Sequence, residues 1–206
     1  MNASLAPKDI DYASIPRLTI DQAKAAAVQL LALRGDGQPV AEPLLAEINR
    51  FYNREARLLD DERYDDWYET LADDLFYWLP LRESRFRRDV RGEISPDNMA
   101  MFDECKADIA VRIGRINSRT VWTEDPPTRH VYMISNLEAF ETDTAGTYEV
   151  HTVFAQYRNR VEHDESTLFG RRRDIIRTKD GGFELSRRLI LLQHSVLLTK
   201  NLSVFF

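Results

Sequence analysis

The run from residue 130 to 192 constrains this chain most, because it reads as four successive strands joined by short turns. Val131, Met133, Ser135, Leu137 and Ala139 alternate with His130, Tyr132, Ile134, Asn136 and Glu138, the period of two of an extended chain. Further strand runs cover Tyr148 to Val161, Leu168 to Thr178 and Phe183 to Leu192. Thr144-Ala145-Gly146, His163-Asp164-Glu165-Ser166 and Asp180-Gly181-Gly182 separate them as hairpin loops. Connections this short make neighbours antiparallel, since a parallel crossover needs a dozen or more residues.

The first half has the other period. Thr19 is placed to cap a helix from Ile20 to Leu33, closed by Gly35. Pro43 suits the first turn of a second helix, and Leu45, Ile48, Tyr52, Ala56 and Leu59 give it one apolar face. A short helix from Tyr64 to Leu71 and a strand from Leu75 to Leu79 follow. Ser95-Pro96-Asp97 reads as a helix start, with Phe102, Cys105, Ile109, Ile113 and Ile116 as its buried face to about Asn117. Helices first and a meander afterwards define an α+β chain, a long curved antiparallel sheet wrapped around N-terminal helices. Residues 1–39 form an extension, loosely ordered to about residue 18 and then helical. Residues 40–206 form the compact domain.

Resident metal or thiol chemistry is poorly supplied. Cys105 is the only cysteine, so this chain alone makes no disulfide, Cys-rich zinc site or iron–sulfur cluster. Cys105 itself reads as a small buried hydrophobe. The histidines are His130, His151, His163 and His194, none spaced to a partner and a carboxylate that would specify an iron triad. No glycine-rich phosphate loop or nucleophile elbow occurs. No stretch has the length of a membrane span or the pattern of a leader peptide, so the chain reads as cytoplasmic and soluble.

Two features carry more information. Residues 51–78 hold eight of the 21 aromatics, Trp67 among them, interleaved with nine acids. Core packing with a solvated acidic face, a protein–protein surface and a ligand cavity all fit this pattern. The second feature is an arginine ladder: Arg158 with Arg160 on one strand, Arg171 with Arg173 on the next, then Arg187 and Arg188. Nucleic acid is a poor partner for a chain of net charge −6. A sheet face paired with carboxylates of this or a neighbouring subunit suits the ladder better. The ending, Asn201-Leu202-Ser203-Val204-Phe205-Phe206, is four-sixths apolar and needs to dock into its own core or a partner.

These residues resemble a family. Phe51-Tyr52-Asn53-Arg54-Glu55-Ala56-Arg57-Leu58-Leu59-Asp60, then Tyr64-Asp65-Asp66-Trp67, is similar to the opening of the small (β) subunit of aromatic-ring-hydroxylating dioxygenases. Ile134-Ser135-Asn136, Phe154 to Arg160, Phe169-Gly170-Arg171-Arg172-Arg173-Asp174, Arg187 to Leu192 and the ending resemble later family motifs in the right order. The resemblance runs from about residue 43 onward. One departure is Leu192-Gln193-His194, where relatives often carry an acidic residue; it bears on a pairing at the subunit boundary.

The resemblance implies a cystatin-like cone and a large (α) subunit partner, in an assembly of three α and three β. That partner would carry the Rieske 2Fe–2S cluster and a mononuclear Fe(II). NADH would supply electrons through a reductase, often with a ferredoxin, for adding dioxygen to an aromatic ring. No cofactor is expected in this chain. Trp67, Arg158, Arg160, Arg171, Arg173, Leu202, Phe205 and Phe206 are then candidates for β–β or β–α contacts. The alternative is a free-standing cone-fold enzyme or binding protein of the ketosteroid-isomerase type, with Tyr52 or Asp74 as a buried group of raised pKa.

Overall fold

The computed structural model describes residues 15–117 and 128–197, together with residues 199, 202, 205 and 206. Residues 1–14 of the expected arm, and Asn201, Ser203 and Val204 of the ending, lie outside the described residues. The elements are α1 (Ile20–Ala32), α2 (Glu42–Asp60), α3 (Tyr64–Tyr68), β1 (Leu71–Pro80), β2 (Ala100–Cys105), α4 (Lys106–Asn117), β3 (Arg129–Glu141), β4 (Thr147–Arg160), β5 (Asp164–Lys179) and β6 (Gly182–Leu192). The six strands make one sheet in the order β2-β1-β6-β5-β4-β3. All neighbours are antiparallel except β1 and β6, which run parallel. The expectation of a wholly antiparallel sheet is corrected there. β1 ends at Pro80 and β6 begins at Gly182, about half the chain later, so no local turn reports that pairing.

The helix expected from Ser95 is half strand. Ser95-Pro96-Asp97 forms only a turn, with the Asp97 amide donating to Ser95 Oγ and the Asn98 amide to the Ser95 carbonyl. Ala100–Cys105 then pairs with β1, and α4 starts after it. Asp108 sits in the first turn of α4, and its carboxylate accepts the Cys105 amide at 3.1 Å, satisfying one of the orphan donors of a helix start. Phe102 and Cys105 happen to fall at helical spacing from Ile109, which hides this boundary in the sequence. Cys105 is buried as expected, its thiol 3.1 Å from Asp108.

The sheet has two differently covered faces. On its inner face α2, α3 and α4 cover a core that includes Ile48, Tyr52, Leu59, Trp67, Tyr77, Ile109, Phe154, Ile176 and Leu185. On its outer face α1, started by a complete Thr19–Gln22 capping box, lays Ala26, Ala27 and Leu30 on Phe76, Trp78 and Leu189. The link after α1 is tied to the far end of the sheet. Gly35 donates its amide to Glu149 at 2.7 Å, and the Val40 amide reaches the Ala139 carbonyl at 3.1 Å. α1 therefore covers the β1–β6 part of the outer face, and the link after it lies against Phe140 and His151 at the far end.

Two local details explain motifs in the sequence. Asn136 takes a positive φ of 50° where the β3–β4 register shifts, the role of a bulge residue that asparagine tolerates better than most. Gly170 lies under the Phe154 ring, where a Cβ would stand 2.5 Å from the ring carbons. Only glycine lets that ring lie flat on β5.

Candidate functional site

In a cone-shaped fold the inner face of the sheet is where a ligand cavity belongs. Here that space holds charge. Tyr52 and Glu55 lie three apart on the inward face of α2, and Arg172, Asp174 and Arg188 project from β5 and β6. All five are buried, and Asp174 and Arg188 are direct cross-strand partners. Arg188 Nη2 donates to Asp174 Oδ2 at 2.7 Å and Nη1 to Glu55 Oε1 at 2.7 Å. Arg172 Nη1 reaches Glu55 Oε2 and its Nε reaches Thr152 Oγ1, both at 3.2 Å. Tyr52 donates to Asp174 Oδ2 at 2.8 Å, and Trp67 Nε1 donates to Glu55 Oε1 at 3.1 Å. Two carboxylates and two guanidiniums make the cluster neutral, as so much burial requires.

Its electrostatics follow from that balance. Burial alone would raise the Glu55 carboxyl, but Arg188 and Arg172 bring it below the ordinary value. Burial opposes charge on Arg188 as well, yet Asp174 and Glu55 hold its pKa well above that of a free guanidinium. Burial and the neighbouring Asp174 push the Tyr52 hydroxyl well up.

The tail fills what remains. The Phe206 main-chain oxygen accepts from Arg188 Nη1 at 2.7 Å and from the Tyr77 hydroxyl at 2.9 Å. The Phe205 carbonyl accepts from the Tyr132 hydroxyl at 2.6 Å. The Phe205 ring lies 4.6 Å from that of Trp67, with the Arg112 guanidinium 4.3 Å from its centroid. The Phe206 ring lies 5.5 Å from that of Phe154.

The candidates named from sequence are scattered by this geometry. Trp67, Phe205 and Phe206, expected at a subunit surface, are 0–1% exposed inside the chain's own core. They are corrected from contact residues to core residues: the tail has docked into its own cone. Leu202 is half-buried and packs against the same core. The arginine ladder is not one exposed face. Arg158 is buried on the inner side, its Nη1 2.9 Å from Thr199 Oγ1 and its Nη2 3.3 Å from Asp164, and Arg160 shares its strand face, half-buried. Arg173 faces outward but donates to the Leu33 carbonyl at 3.0 Å, fastening the end of α1. Arg171 is exposed. Sequence reasoning passed over Glu55, Arg172 and Asp174. Strand alternation held the signal, because Arg171 and Arg173 outward force Arg172 and Asp174 inward.

Neither residue suggested for acid–base work is placed for it. The Tyr52 hydroxyl is committed to Asp174 and fully buried. Asp74 stands at the surface between Arg177 and Arg187. Burial would raise its pKa, but hydrogen bonds from Arg177 and the charge of Arg187 bring it below the ordinary value. A hollow of about 630 Å³ opens between α2, α3 and the β5–β6 turn, lined by Phe51 and Phe183 with Glu47, Arg50, Arg54, Asp66 and Lys179. It does not reach the buried cluster.

The donors present do not fit an iron or cluster site. Among the described residues no three His, Cys, Asp or Glu side chains gather at metal-binding distance. His130 pairs with Gln156, and His151 with Glu149, on separate parts of the sheet. Among the described residues no helix is long and apolar enough to cross a membrane.

Fold and interior together define a cone-type α+β subunit whose centre is a packed ionic core. Comparison places it in a family: residues 54–199 match the model described as the ring hydroxylating beta subunit, and the chain belongs to that family of aromatic-ring-hydroxylating dioxygenase components. It is 39% identical over 171 residues to benzene 1,2-dioxygenase subunit beta of Pseudomonas putida, covering 82% of this chain and 91% of that one. It is 38% identical over 178 residues to biphenyl 2,3-dioxygenase subunit beta of Rhodococcus jostii, covering 85% and 95%. Its fold matches a chain of naphthalene 1,2-dioxygenase with indole bound, at a TM-score of 0.75 and 20% identity, over 92% of this chain and 95% of that one. Membership in a β-subunit family implies a large oxygenase subunit as partner.

Proposed function

We propose that this chain is the structural β subunit of a cytoplasmic, multicomponent dioxygenase that adds dioxygen to an aromatic ring during aromatic-compound catabolism. The α subunit carries the Rieske 2Fe–2S cluster and the mononuclear Fe(II) that supply the oxygen chemistry. Electrons arrive there from NADH through a reductase, with or without a ferredoxin. The assembly is a hexamer of three α and three β. This chain's own residues hold a rigid wedge: the Glu55–Arg172–Asp174–Arg188 cluster fixes β5 and β6 against α2. Arg160, Arg171 and Leu202 remain as contact residues, and Arg158, Arg173, Trp67, Phe205 and Phe206 shape the contact surface from behind.

The observation that carries this reading is the filled interior, where a free-standing cone enzyme needs a cavity beside an available acid or base. The test is to purify the chain alone and together with its cognate α subunit, then measure iron, oxygen uptake and sedimentation. Iron and turnover should appear only in the complex. Bound iron or turnover in the β chain alone would overturn the proposal.

A further inference from the structure

Every methionine among the described residues stands at the surface. Met99, Met101 and Met133 are 80%, 39% and 59% exposed, and the core among the described residues holds none. That inverts the usual placement, since methionine is among the residue types most often fully buried and serves as a filler of irregular cores. Here leucine, isoleucine and aromatic rings fill the core instead.

Local structure turns each thioether outward. Met99 immediately precedes β2, and its carbonyl accepts the Leu81 amide at 3.4 Å. Met101 is the extra residue of a bulge: Leu79 pairs with Phe102 and Pro80 with Ala100, which leaves Met101 without a cross-strand partner. It borders a hollow of about 170 Å³ beside Leu79, Leu192 and Leu197. Met133 projects from β3, the edge strand of the sheet, on the face opposite buried Tyr132.

The chain's other oxidisable sulfur is placed in the opposite way. Cys105 lies on the same strand as Met101, four residues on, yet is 7% exposed. Its thiol is 3.1 Å from Asp108, and burial together with that carboxylate pushes its pKa up. The thiolate is the reactive form, so such a thiol is slow toward oxidants. A thioether has no proton to lose and reacts wherever the oxidant reaches it.

We propose that Met99, Met101 and Met133 are sites of oxidation by hydrogen peroxide, each becoming a methionine sulfoxide while Cys105 and the ionic core stay intact. A sulfur lone pair attacks one peroxide oxygen, and the S–O bond forms as the O–O bond breaks. The departing hydroxide takes the proton from the transferred oxygen and leaves as water. Sulfur gives up two electrons, and the peroxide gains them. A thiol-dependent sulfoxide reductase reverses the change, yielding the thioether, water and a disulfide. At the surface the polar sulfoxide oxygen is hydrated, whereas inside a core it would disrupt packing. Hydrogen peroxide is dioxygen with two electrons and two protons added, so the source of the oxidant, though not the sites, rests on the proposed function above.

The test treats the full chain, alone and in complex with its cognate α subunit, with excess hydrogen peroxide and maps the added oxygen by peptide mass spectrometry. One oxygen should appear on each of Met99, Met101 and Met133 and none on Cys105, with the melting temperature and α-subunit capture unchanged. In urea, Cys105 should react as well. A variant with Met99→Leu, Met101→Leu and Met133→Leu should fold as the parent does and take up none of these oxygens. Oxidation of Cys105 while the methionines stay unmodified overturns the proposal. So does a melting temperature that peroxide lowers in the parent but not in the triple variant. Protection of the three methionines in the complex would make them partner contacts and overturns it too. Turnover of the complex should produce the same sulfoxides without added peroxide, and their absence there removes the source alone. A chain that never assembles with an α subunit overturns the proposed function, while the sites are still decided by the chain alone.

Discussion

Arg188 and Asp174 face each other across β6 and β5 with no exposed side-chain surface, Nη2 and Oδ2 2.7 Å apart. Desolvating such a pair costs about as much as its attraction returns, so the pair is weak evidence of net stability. What it does enforce is register. Sliding β6 by two residues against β5 would part Arg188 from Asp174 and, through Glu55, from α2. A subunit whose task is to present a fixed surface gains from a core that tolerates one alignment only.

Removing one member should therefore cost far more than the intact cluster contributes. Arg188→Met leaves Glu55 and Asp174 facing one cation and strips a donor from the Phe206 carbonyl. We expect a loss of about 3–5 kcal/mol, read from urea unfolding. A loss below 1 kcal/mol would mean the cluster is not closed to water.

Acid should attack the same place. Glu55 is held below its ordinary pKa by Arg188 and Arg172 against burial, while in the unfolded chain it returns to about 4.3. A depressed carboxyl stabilises the fold above its unfolded value and loses that stabilisation as pH falls through its folded one. The urea midpoint should therefore hold steady between about pH 6 and 8, then fall below about pH 4.3. Glu55→Gln should start lower and show a shallower acid limb. An equal acid slope in both proteins would place the titration elsewhere.

Much of this core was within reach of the sequence, and some was not. The four C-terminal strands were legible because inward and outward residues alternate and their turns are short, so Phe183 to Leu192 became Gly182–Leu192. The α1 cap was legible because Thr19 and Gln22 have capping-box spacing. Ala100–Cys105 was not, since an edge strand of six residues carries little periodicity and Phe102 fits a helix as well. Trp67 and Phe206 were legible as apolar, but whether an apolar residue meets its own core or a partner is a three-dimensional fact. Arginine reads as surface by default, and only the contacts to Glu55 on α2 and Asp174 across the strands reveal why Arg172 and Arg188 are inside.

Gly170 should accept no side chain without damage. A Cβ there meets the Phe154 ring at 2.5 Å, and that ring packs against Phe206 and lies under Arg172. Gly170→Ala is expected to cost about 1–3 kcal/mol in urea unfolding. Adding Phe154→Leu should recover part of the loss, giving a favourable coupling between the two changes.

Val161 should behave in the opposite sense. It opens the turn after β4 in the left-handed region, φ 53°, with 61% of its surface exposed. A β-branched side chain is strained there and gains little from burial. Val161→Gly should stabilise the chain by about 1 kcal/mol, seen as a higher melting temperature. A lower melting temperature would mean that the side chain makes a contact worth more than the strain.

The tail supplies the last prediction, because it separates packing from polar anchoring. Phe206 is fully buried beside Phe154, and its carbonyl is held by Tyr77 and Arg188 through main-chain atoms that substitution leaves in place. Phe206→Ala should thus lose packing alone, about 3–5 kcal/mol. It should leave an apolar void, and such voids stay dry and take up small aromatics. Saturating benzene should then raise the melting temperature of Phe206→Ala and leave the parent unchanged, since only the variant offers it a site. Tyr77→Phe keeps the ring packing but removes both a donor to the Phe206 main-chain oxygen and the acceptor of the Phe206 amide, so it should cost about 1–3 kcal/mol and show no response to benzene. If Phe206→Ala instead released the tail outright, benzene would not rescue it and α-subunit capture would fall. The anchoring of the tail would then depend on its ring rather than on the Tyr77 and Arg188 hydrogen bonds.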